Sequence, residues 1–188
     1  CDSGVHHNWF MQFWKPKRTQ SMLNSWGYSS MGFGVCSVMG AQLAAPDRPC
    51  VSVCGDGGFS MTPYVVATAV EYDLPCVWVV WNNFAWAAIR DIQVGMFGGR
   101  ELGTAFRDDK KKPYNPDFAA WARACGADGV TITKSEDLAG ALQQAIRNKR
   151  PCVLDVHVDA EVRPPSTGTW QLPPTPYKEP AFGKPWVA

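Results

Sequence analysis

The chain has 188 residues, of which 46% are hydrophobic and 19% are charged, and its formal net charge is +1. This length suits one domain with a buried core, and the near-neutral charge predicts no basic surface for nucleic acid. No apolar run reaches the roughly 18 residues that a membrane-spanning helix needs. We therefore expect neither a nucleic-acid nor a membrane partner.

The seven cysteines are an odd number, and most of them lie within apolar runs. This distribution favours small buried hydrophobic residues over a disulfide framework or a zinc site, both of which need closer pairing. A reducing, cytoplasmic setting is the expectation that follows.

In chain order, residues 2–9 come first and are predicted to be a polar loop with no strand before them. A doubly wound unit normally opens with a strand, so we expect Cys1 to be a junction. An upstream polypeptide, cut from this chain or made separately, would then supply the strand. We expect that strand to pair beside the strand at 50–55 or its neighbour.

From Pro49 to Val158, short apolar strands alternate with helical patterns. The predicted strands, which are β-branched and bounded by Pro or Gly, cover 50–55, 76–81, 129–133 and 152–158. The predicted helices cover 31–45, 60–72, 85–93, 116–125 and 135–149, the last with Ser135 as its N-cap. Near-continuous apolarity indicates strands buried on both faces. The pattern predicts an α/β fold with a doubly wound, mostly parallel sheet and helices on both faces.

Two stretches depart from this alternation. Segment 93–116 is glycine-rich, then charged, and too long for an ordinary connection. We expect 93–115 to act as a lid over a site. The tail at 163–188 is rich in proline and also contains aromatic residues, so we expect an extended segment that packs on the rest of the protein. The predicted domain is then 1–162.

Polar residues follow two successive predicted strands. Asp56 lies between Gly55 and Gly57 after the first strand, and Asn82 and Asn83 follow the second. The carboxyl ends of parallel strands share one edge, where open α/β sheets bind ligands. Glycines allow close backbone approach, a helix N-terminus offers N–H groups to phosphate, and carboxylate and amide oxygens suit Mg²⁺. These residues predict a Mg²⁺–diphosphate site.

The spacing of these residues resembles a known signature. Gly55-Asp56-Gly57, then 24 residues, then Asn82-Asn83 is similar to the GDG…NN motif of thiamine diphosphate enzymes. The resemblance covers nearly the whole chain. It is greatest to the C-terminal cofactor-binding (PP) domain of the acetolactate synthase, glyoxylate carboligase and benzoylformate decarboxylase group. It implies the thiamine diphosphate-binding fold, with thiamine diphosphate and Mg²⁺ as cofactors.

The resemblance also assigns roles around this motif. It implies that Asp56, the Asn83 side chain and the Ala85 carbonyl are the protein ligands of Mg²⁺. The remaining residues expected to bind the cofactor here are Gly55, Gly57, Gly58 and Trp86, with Gly57 and Gly58 donating N–H groups to the diphosphate.

Two further segments agree with the family pattern. "SSMGFGV" (29–35) resembles the stretch beneath the cofactor's pyrimidine ring, which implies that Met31 bends the cofactor and that the Ser29 carbonyl accepts from its 4′-amino group. "DSGVHHNW" (2–9) resembles the family's "DVGQHQMW" loop, which implies that Gly4 and His6 lie at the cofactor, with His6 touching the diphosphate. Some residues of this loop differ from the family pattern, so the resemblance does not fix which of them contact the phosphate.

The helix after the asparagines is expected to face the reacting carbon. Pyruvate-type decarboxylases carry a glutamate six residues beyond the metal asparagine, where this chain has Ile89, preceded by Ala88. Small apolar residues leave room for a larger or second substrate. The resemblance therefore implies C–C bond cleavage or formation next to a carbonyl, by a carboligase or lyase/hydrolase acting on a 2-oxo acid or 1,2-diketone. Arg90 could pair with a substrate carboxylate or be a surface residue.

The family's activating glutamate lies on a pyrimidine-binding domain, which normally comes from another subunit. The resemblance implies such an N-terminal partner polypeptide and a homo- or hetero-oligomer, such as a dimer of dimers. One alternative is the β-type subunit of a 2-oxo acid decarboxylase, as in sulfopyruvate decarboxylase. Another is a non-catalytic assembly subunit, against which the intact Asp56 and Asn83 speak.

Overall fold

The computed structural model describes residues 1–25, 27–99 and 101–165. These ranges contain one sheet of four strands, β1 (Val51–Gly55), β2 (Val77–Asn82), β3 (Asp128–Ile132) and β4 (Cys152–His157). Every pairing is parallel, and the strand order is β1-β2-β4-β3. Each strand lies within one residue of its predicted bounds. Most of the tail predicted at 163–188 lies outside the described residues, so its packing stays a prediction.

Helices cover both faces of this sheet. They are α1 (Val5–Phe13), α2 (Phe33–Ala44), α3 (Asp56–Met61), α4 (Val65–Glu71), α5 (Ala87–Met96), α6 (Phe118–Ala124) and α7 (Ser135–Asn148). One hydrophobic cluster joins β1, β2 and β4 to α2, α4 and α6, and a second joins the opposite face to α7 and to Phe10 of α1. The predicted doubly wound α/β fold is therefore confirmed. Within the described ranges, none of the helices combines the length and the apolarity needed to cross a bilayer.

Three local predictions are wrong. The loop expected over 2–9 contains α1, in which aromatic side chains four residues apart stack, as Trp9 does on Phe13 at 5.8 Å between ring centroids. The single helix expected over 60–72 is two helices, because Pro63 cannot donate a helical hydrogen bond. Ser135 is the first residue of α7, and Lys134 occupies the N-cap position.

All seven cysteines are free, and Cys54, Cys76 and Cys152 are buried in or beside the strands. Their thiols fill space in the two hydrophobic clusters, as apolar side chains would.

The close approach of α6 to β3 gives a test of this packing. A Cβ on Gly129 would lie 2.1 Å from the backbone oxygen of Ala119, whereas a Cβ on Gly140 of α7 would meet nothing within 4 Å. We expect Gly129→Ala to destabilise the fold by about 1–3 kcal/mol through overpacking. The matched change Gly140→Ala should stabilise it by up to about 1 kcal/mol, through helix propensity. Chemical denaturation of both variants measures the difference, and equal midpoints would contradict the close packing.

Candidate functional site

The loops that follow β1 and β2 converge at one edge of the sheet, because the register pairs Gly55 with Trp81. They line a cavity of about 640 Å³ together with the start of α1 and residues near Met31. The structure brings all the site residues predicted from the sequence to this cavity: Gly4, His6, Ser29, Met31, Gly55, Asp56, Gly57, Gly58, Asn83, Ala85, Trp86, Ala88 and Ile89.

The two side chains predicted to bind a metal are held by one backbone N–H group. The amide of Ala85 donates to Asp56 Oδ2 and to Asn83 Oδ1, at 3.2 Å in each case. Asp56 is 1% exposed, and its other oxygen accepts from the backbone N–H of Gly57 at 3.0 Å. Phe84 makes the turn before Ala85 with a φ of 58°, a conformation that costs a non-glycine residue energy. That turn places the shared N–H between the two oxygens.

The surroundings of Asp56 disfavour the ionised form of its carboxylate. Burial raises its pKa to about 6, although hydrogen bonds from Asn115, Gly57 and Ala85 act in the opposite direction. A cation beside the carboxylate would offset that cost, because it stabilises the charged form.

The donor chemistry fits a hard cation. Within the ranges that the structure describes, no three His, Cys, Asp or Glu side chains converge as they do in a zinc or soft-metal site. The oxygens of Asp56 and Asn83 instead form a small, oxygen-only set of the kind that leaves Mg²⁺ free to keep water and phosphate ligands.

The glycines after β1 allow the Trp86 ring to pack directly against the backbone. A Cβ on Gly57 would lie 2.0 Å from Trp86 Cδ1, so only glycine fits there. The Trp86 ring meets Phe106 edge to face at 5.1 Å. Its Nε1 is buried and has no hydrogen-bond partner among the described residues. A buried donor without a partner costs roughly 1–3 kcal/mol, so a ligand that accepts from it would be favoured.

Asp2, to which sequence reasoning gave no role, fixes the first loop. Its carboxylate is 1% exposed and accepts from the N–H groups of Gly32 at 3.1 Å and Gly34 at 2.9 Å. These contacts hold the segment that carries Ser29 and Met31 against the start of α1. These contacts join residues 30 and 32 positions apart, so no local pattern in the sequence signalled them.

His6 lies at the cavity wall as a neutral ring. Its Nε2 donates to the Asp2 carbonyl at 3.0 Å, and because a carbonyl only accepts, Nε2 carries the proton. Burial lowers the pKa of His6 to about 3. Its predicted contact with a diphosphate stays a prediction, and in this geometry the ring offers no positive charge.

The remaining predicted residues form the open, apolar part of the wall. Met31 is 43% exposed and Ile89 is 49% exposed, and both face the cavity with Ala88. Arg90 is not among the described lining residues. It pairs with Glu101 at 2.5 Å and Glu161 at 2.9 Å, and its side chain is 14% exposed, so two carboxylates of this chain hold it and it is not a solvated surface residue. Its pairing with a substrate carboxylate stays a prediction.

The predicted lid lies beside the loop after β2. Its first residues, 93–96, belong to α5, and its middle hydrogen-bonds to that loop through Trp86 N to Thr104 O at 2.9 Å and Phe106 N to Phe84 O at 2.7 Å. Opening and closing of 93–115 stay a prediction.

Two polar residues behind the cavity were also missed. Asn115 donates to Asp56, and the buried Asp155 of β4 accepts from Asn82. The sequence carried a signal for Asp155, because a charged residue within the apolar strand "CVLDVH" requires a buried partner.

Comparison with known proteins gives a consistent result. Residues 2–156 match the family model described as "Thiamine pyrophosphate enzyme, C-terminal TPP binding domain". "Putative thiamine pyrophosphate-containing protein YdaP" of Bacillus subtilis (strain 168) is 35% identical over 89% of this chain and 27% of its own length. The acetolactate synthase large subunit of Corynebacterium glutamicum is 34% identical over 86% of this chain and 26% of its own.

A solved structure is also similar. The thiamine diphosphate-dependent 4-hydroxybenzoylformate decarboxylase of Rhodococcus jostii RHA1 superposes with a TM-score of 0.61 and 27% identity, over 69% of this chain and 23% of that one. The chain thus spans about a quarter of the length of the curated relatives it matches.

The buried neutral His6 predicts acid sensitivity. Its pKa of about 3 lies below the unfolded value of 6.5, so both states are neutral above pH 6.5 and the residue has no effect there. As the pH falls below 6.5, only the unfolded chain gains the proton, and stability should drop by about 1.4 kcal/mol per pH unit until about pH 3. The free energy of unfolding should therefore fall more steeply with acid in the native chain than in His6→Gln. Parallel pH profiles would show that His6 is not buried as a neutral ring.

Proposed function

Because the chain belongs to the thiamine pyrophosphate enzyme family, as its C-terminal TPP-binding domain, we propose that the cavity binds the diphosphate of the cofactor through Mg²⁺. The observation that carries this proposal is the Ala85 N–H, which holds Asp56 Oδ2 and Asn83 Oδ1 at 3.2 Å each. Asp56, Asn83 and the Ala85 carbonyl would be the protein ligands of the ion. Gly57 and Gly58 would offer backbone N–H groups to the diphosphate.

Thiamine diphosphate, when bound, supplies the electron sink for breaking or forming a bond next to a carbonyl. The residues of this chain would orient the cofactor and keep water away. Met31 would support its pyrimidine ring, and the Ser29 carbonyl would accept from the 4′-amino group. Ala88 and Ile89 would form an apolar wall that offers no proton to the reacting carbon.

This wall favours a carboligase or a C–C lyase/hydrolase acting on a 2-oxo acid or 1,2-diketone. An apolar side chain at Ile89 leaves the reacting carbon without a nearby acid, so addition to a second carbonyl can compete with protonation. Both outcomes occur among the names of similar proteins: one is an acetolactate synthase and another is a 4-hydroxybenzoylformate decarboxylase.

A pyrimidine-binding domain, from this or another polypeptide, would complete the site and supply the activating glutamate. None of the described residues that line the cavity is a glutamate, and Met31 and Ile89 leave an exposed apolar wall for such a domain to cover. The complete enzyme is then an oligomer or a larger chain in which two domains share the cofactor.

The metal assignment is tested by Asp56→Ala, with Asp159→Ala as its control. Asp159 is the other aspartate among the described lining residues and is exposed. We expect Asp56→Ala to weaken Mg²⁺-dependent binding of thiamine diphosphate by at least about 100-fold, because the carboxylate is a direct ligand of the ion. Asp159→Ala should bind as the native protein does.

The measurement is calorimetric titration with thiamine diphosphate at fixed Mg²⁺, after gel filtration and with circular dichroism to check the fold. Native binding by Asp56→Ala would overturn the proposed function.

The reaction type is tested by placing an acid at position 89. In the complete enzyme, with the pyrimidine-binding domain present and a panel of 2-oxo acids as substrates, Ile89→Glu should shift products from ligation or cleavage toward simple decarboxylation and aldehyde release, because a carboxyl group would now face the reacting carbon. Val94→Glu is the control, since Val94 is also exposed on α5 but is not among the described residues that line the cavity. Product ratios measured by chromatography should change only in Ile89→Glu. Equal ratios in all three proteins would show that Ile89 does not face the reacting carbon.

A further inference from the structure

Two side-chain amides, those of Asn115 and Asn82, are linked by hydrogen bonds next to the Asp56 carboxylate. Asn115 lies at the end of the long segment after α5, and its Nδ2 donates to Asp56 Oδ2 and to Asn82 Oδ1, at 2.7 Å each. An amide nitrogen has two hydrogens, so this geometry uses both. Three distant parts of the sequence therefore meet at one nitrogen atom.

The orientation of Asn115 is set by its neighbours. Asn82 Nδ2 donates to Asp155 Oδ1 at 3.0 Å, and Asn82 Oδ1 also accepts from the Phe84 N–H at 3.3 Å. A carboxylate accepts and a backbone N–H donates, so the amide of Asn82 has only one arrangement that satisfies both. Its oxygen then faces Asn115, and this requires Asn115 to direct its nitrogen toward Asp56.

Asn115 fixes Asp56 without neutralising it. A lysine or arginine in this place would compete with a cation, whereas a neutral amide leaves the negative charge in the cavity. Asn115 and the Ala85 N–H both donate to Asp56 Oδ2, and the Gly57 N–H donates to Oδ1. All of these donors are neutral, so they orient the carboxylate and leave its charge for a cation.

We propose that Asn115 is a positioning residue, which holds the Asp56 carboxylate in place for the cation, and that Asp155 orients it through Asn82. This inference rests on the proposed function, because it assigns the cation to Asp56. Outer partners of metal-binding side chains contribute in this way, and their loss weakens metal binding by roughly 10- to 100-fold.

The test is Mg²⁺ titration of the holoenzyme at fixed thiamine diphosphate, followed by quenching of tryptophan fluorescence, since Trp81 and Trp86 line the cavity. We expect the Mg²⁺ midpoint of Asn115→Ala to rise by about 10- to 100-fold, with full quenching restored at high Mg²⁺. Tyr114→Ala, which truncates an exposed neighbour in the same segment, should keep the native midpoint.

A purely structural role would give another result. It would lower the unfolding temperature of the cofactor-free protein or the final extent of quenching and leave the Mg²⁺ midpoint in place. An unchanged midpoint would overturn the proposal. A lower midpoint would also overturn it, because it would mean that the Asn115 amide competes with the cation.

The part played by Asp155 is tested by Asp155→Leu, which has a similar shape and no acceptor. Alone it should raise the Mg²⁺ midpoint by less than Asn115→Ala does. In the double variant it should add nothing, since Asp155 acts through Asn115. Additive shifts of the midpoint would show that Asp155 does not act through Asn115. If Asp155→Leu does not fold, the Asn115 and Tyr114 variants decide whether Asn115 is a positioning residue.

Asp56→Ala separates this inference from the proposed function. If Asp56→Ala loses Mg²⁺-dependent binding while Asn115→Ala keeps the native midpoint, the cation site stands and the positioning role fails. If Asp56→Ala itself binds normally, the proposed function fails and the inference fails with it.

Discussion

The register of the parallel strands is the constraint on which the rest of the site depends. β1, β2 and β4 pair so that Gly55 lies beside Trp81 and Asn82 beside His157. Side chains alternate between the faces of a sheet, so a slip of one residue would turn Asn82 away from Asp155. The buried core fixes the register: Trp78 is fully buried on β2, and its indole N–H donates to the Val35 carbonyl of α2 at 2.9 Å.

Neutral donors satisfy the buried acceptors at the edge of the sheet. Asp2 accepts from backbone N–H groups, Asp56 from backbone and amide groups, and Asp155 from an asparagine. Each aspartate keeps its place without a lysine or arginine as its hydrogen-bond partner. The pairs that Arg90 and Arg163 make with acidic residues lie outside this buried group and tie α5 to its neighbours. The cavity can therefore hold both a carboxylate and, beside it, a positive ion brought by a ligand.

Local patterns in the sequence predicted the fold and the two polar clusters after β1 and β2, because these depend on short-range rules. The other cavity residues, such as Met31 and His6, were placed by the family resemblance. Apolar runs gave the strands, and their shared edge placed Asp56 and Asn83 in one cavity. Asn115 could not be predicted, because its contact with Asp56 spans 59 residues and depends on the path of a long connection. The helix α1 was missed because its aromatic pairs stabilise it without a charged cap. The break between α3 and α4 was also missed, although Pro63 marks it in the sequence.

The contact between Gly57 and Trp86 constrains the order in which substitutions can accumulate. Every side chain other than glycine carries a Cβ, which here would lie 2.0 Å from the indole. Position 57 can therefore accept another residue only after position 86 has become smaller, while a change at position 86 is not blocked in return. Substitution of Trp86 must therefore precede substitution of Gly57, so a homologue with a side chain at the position of Gly57 should also lack the tryptophan.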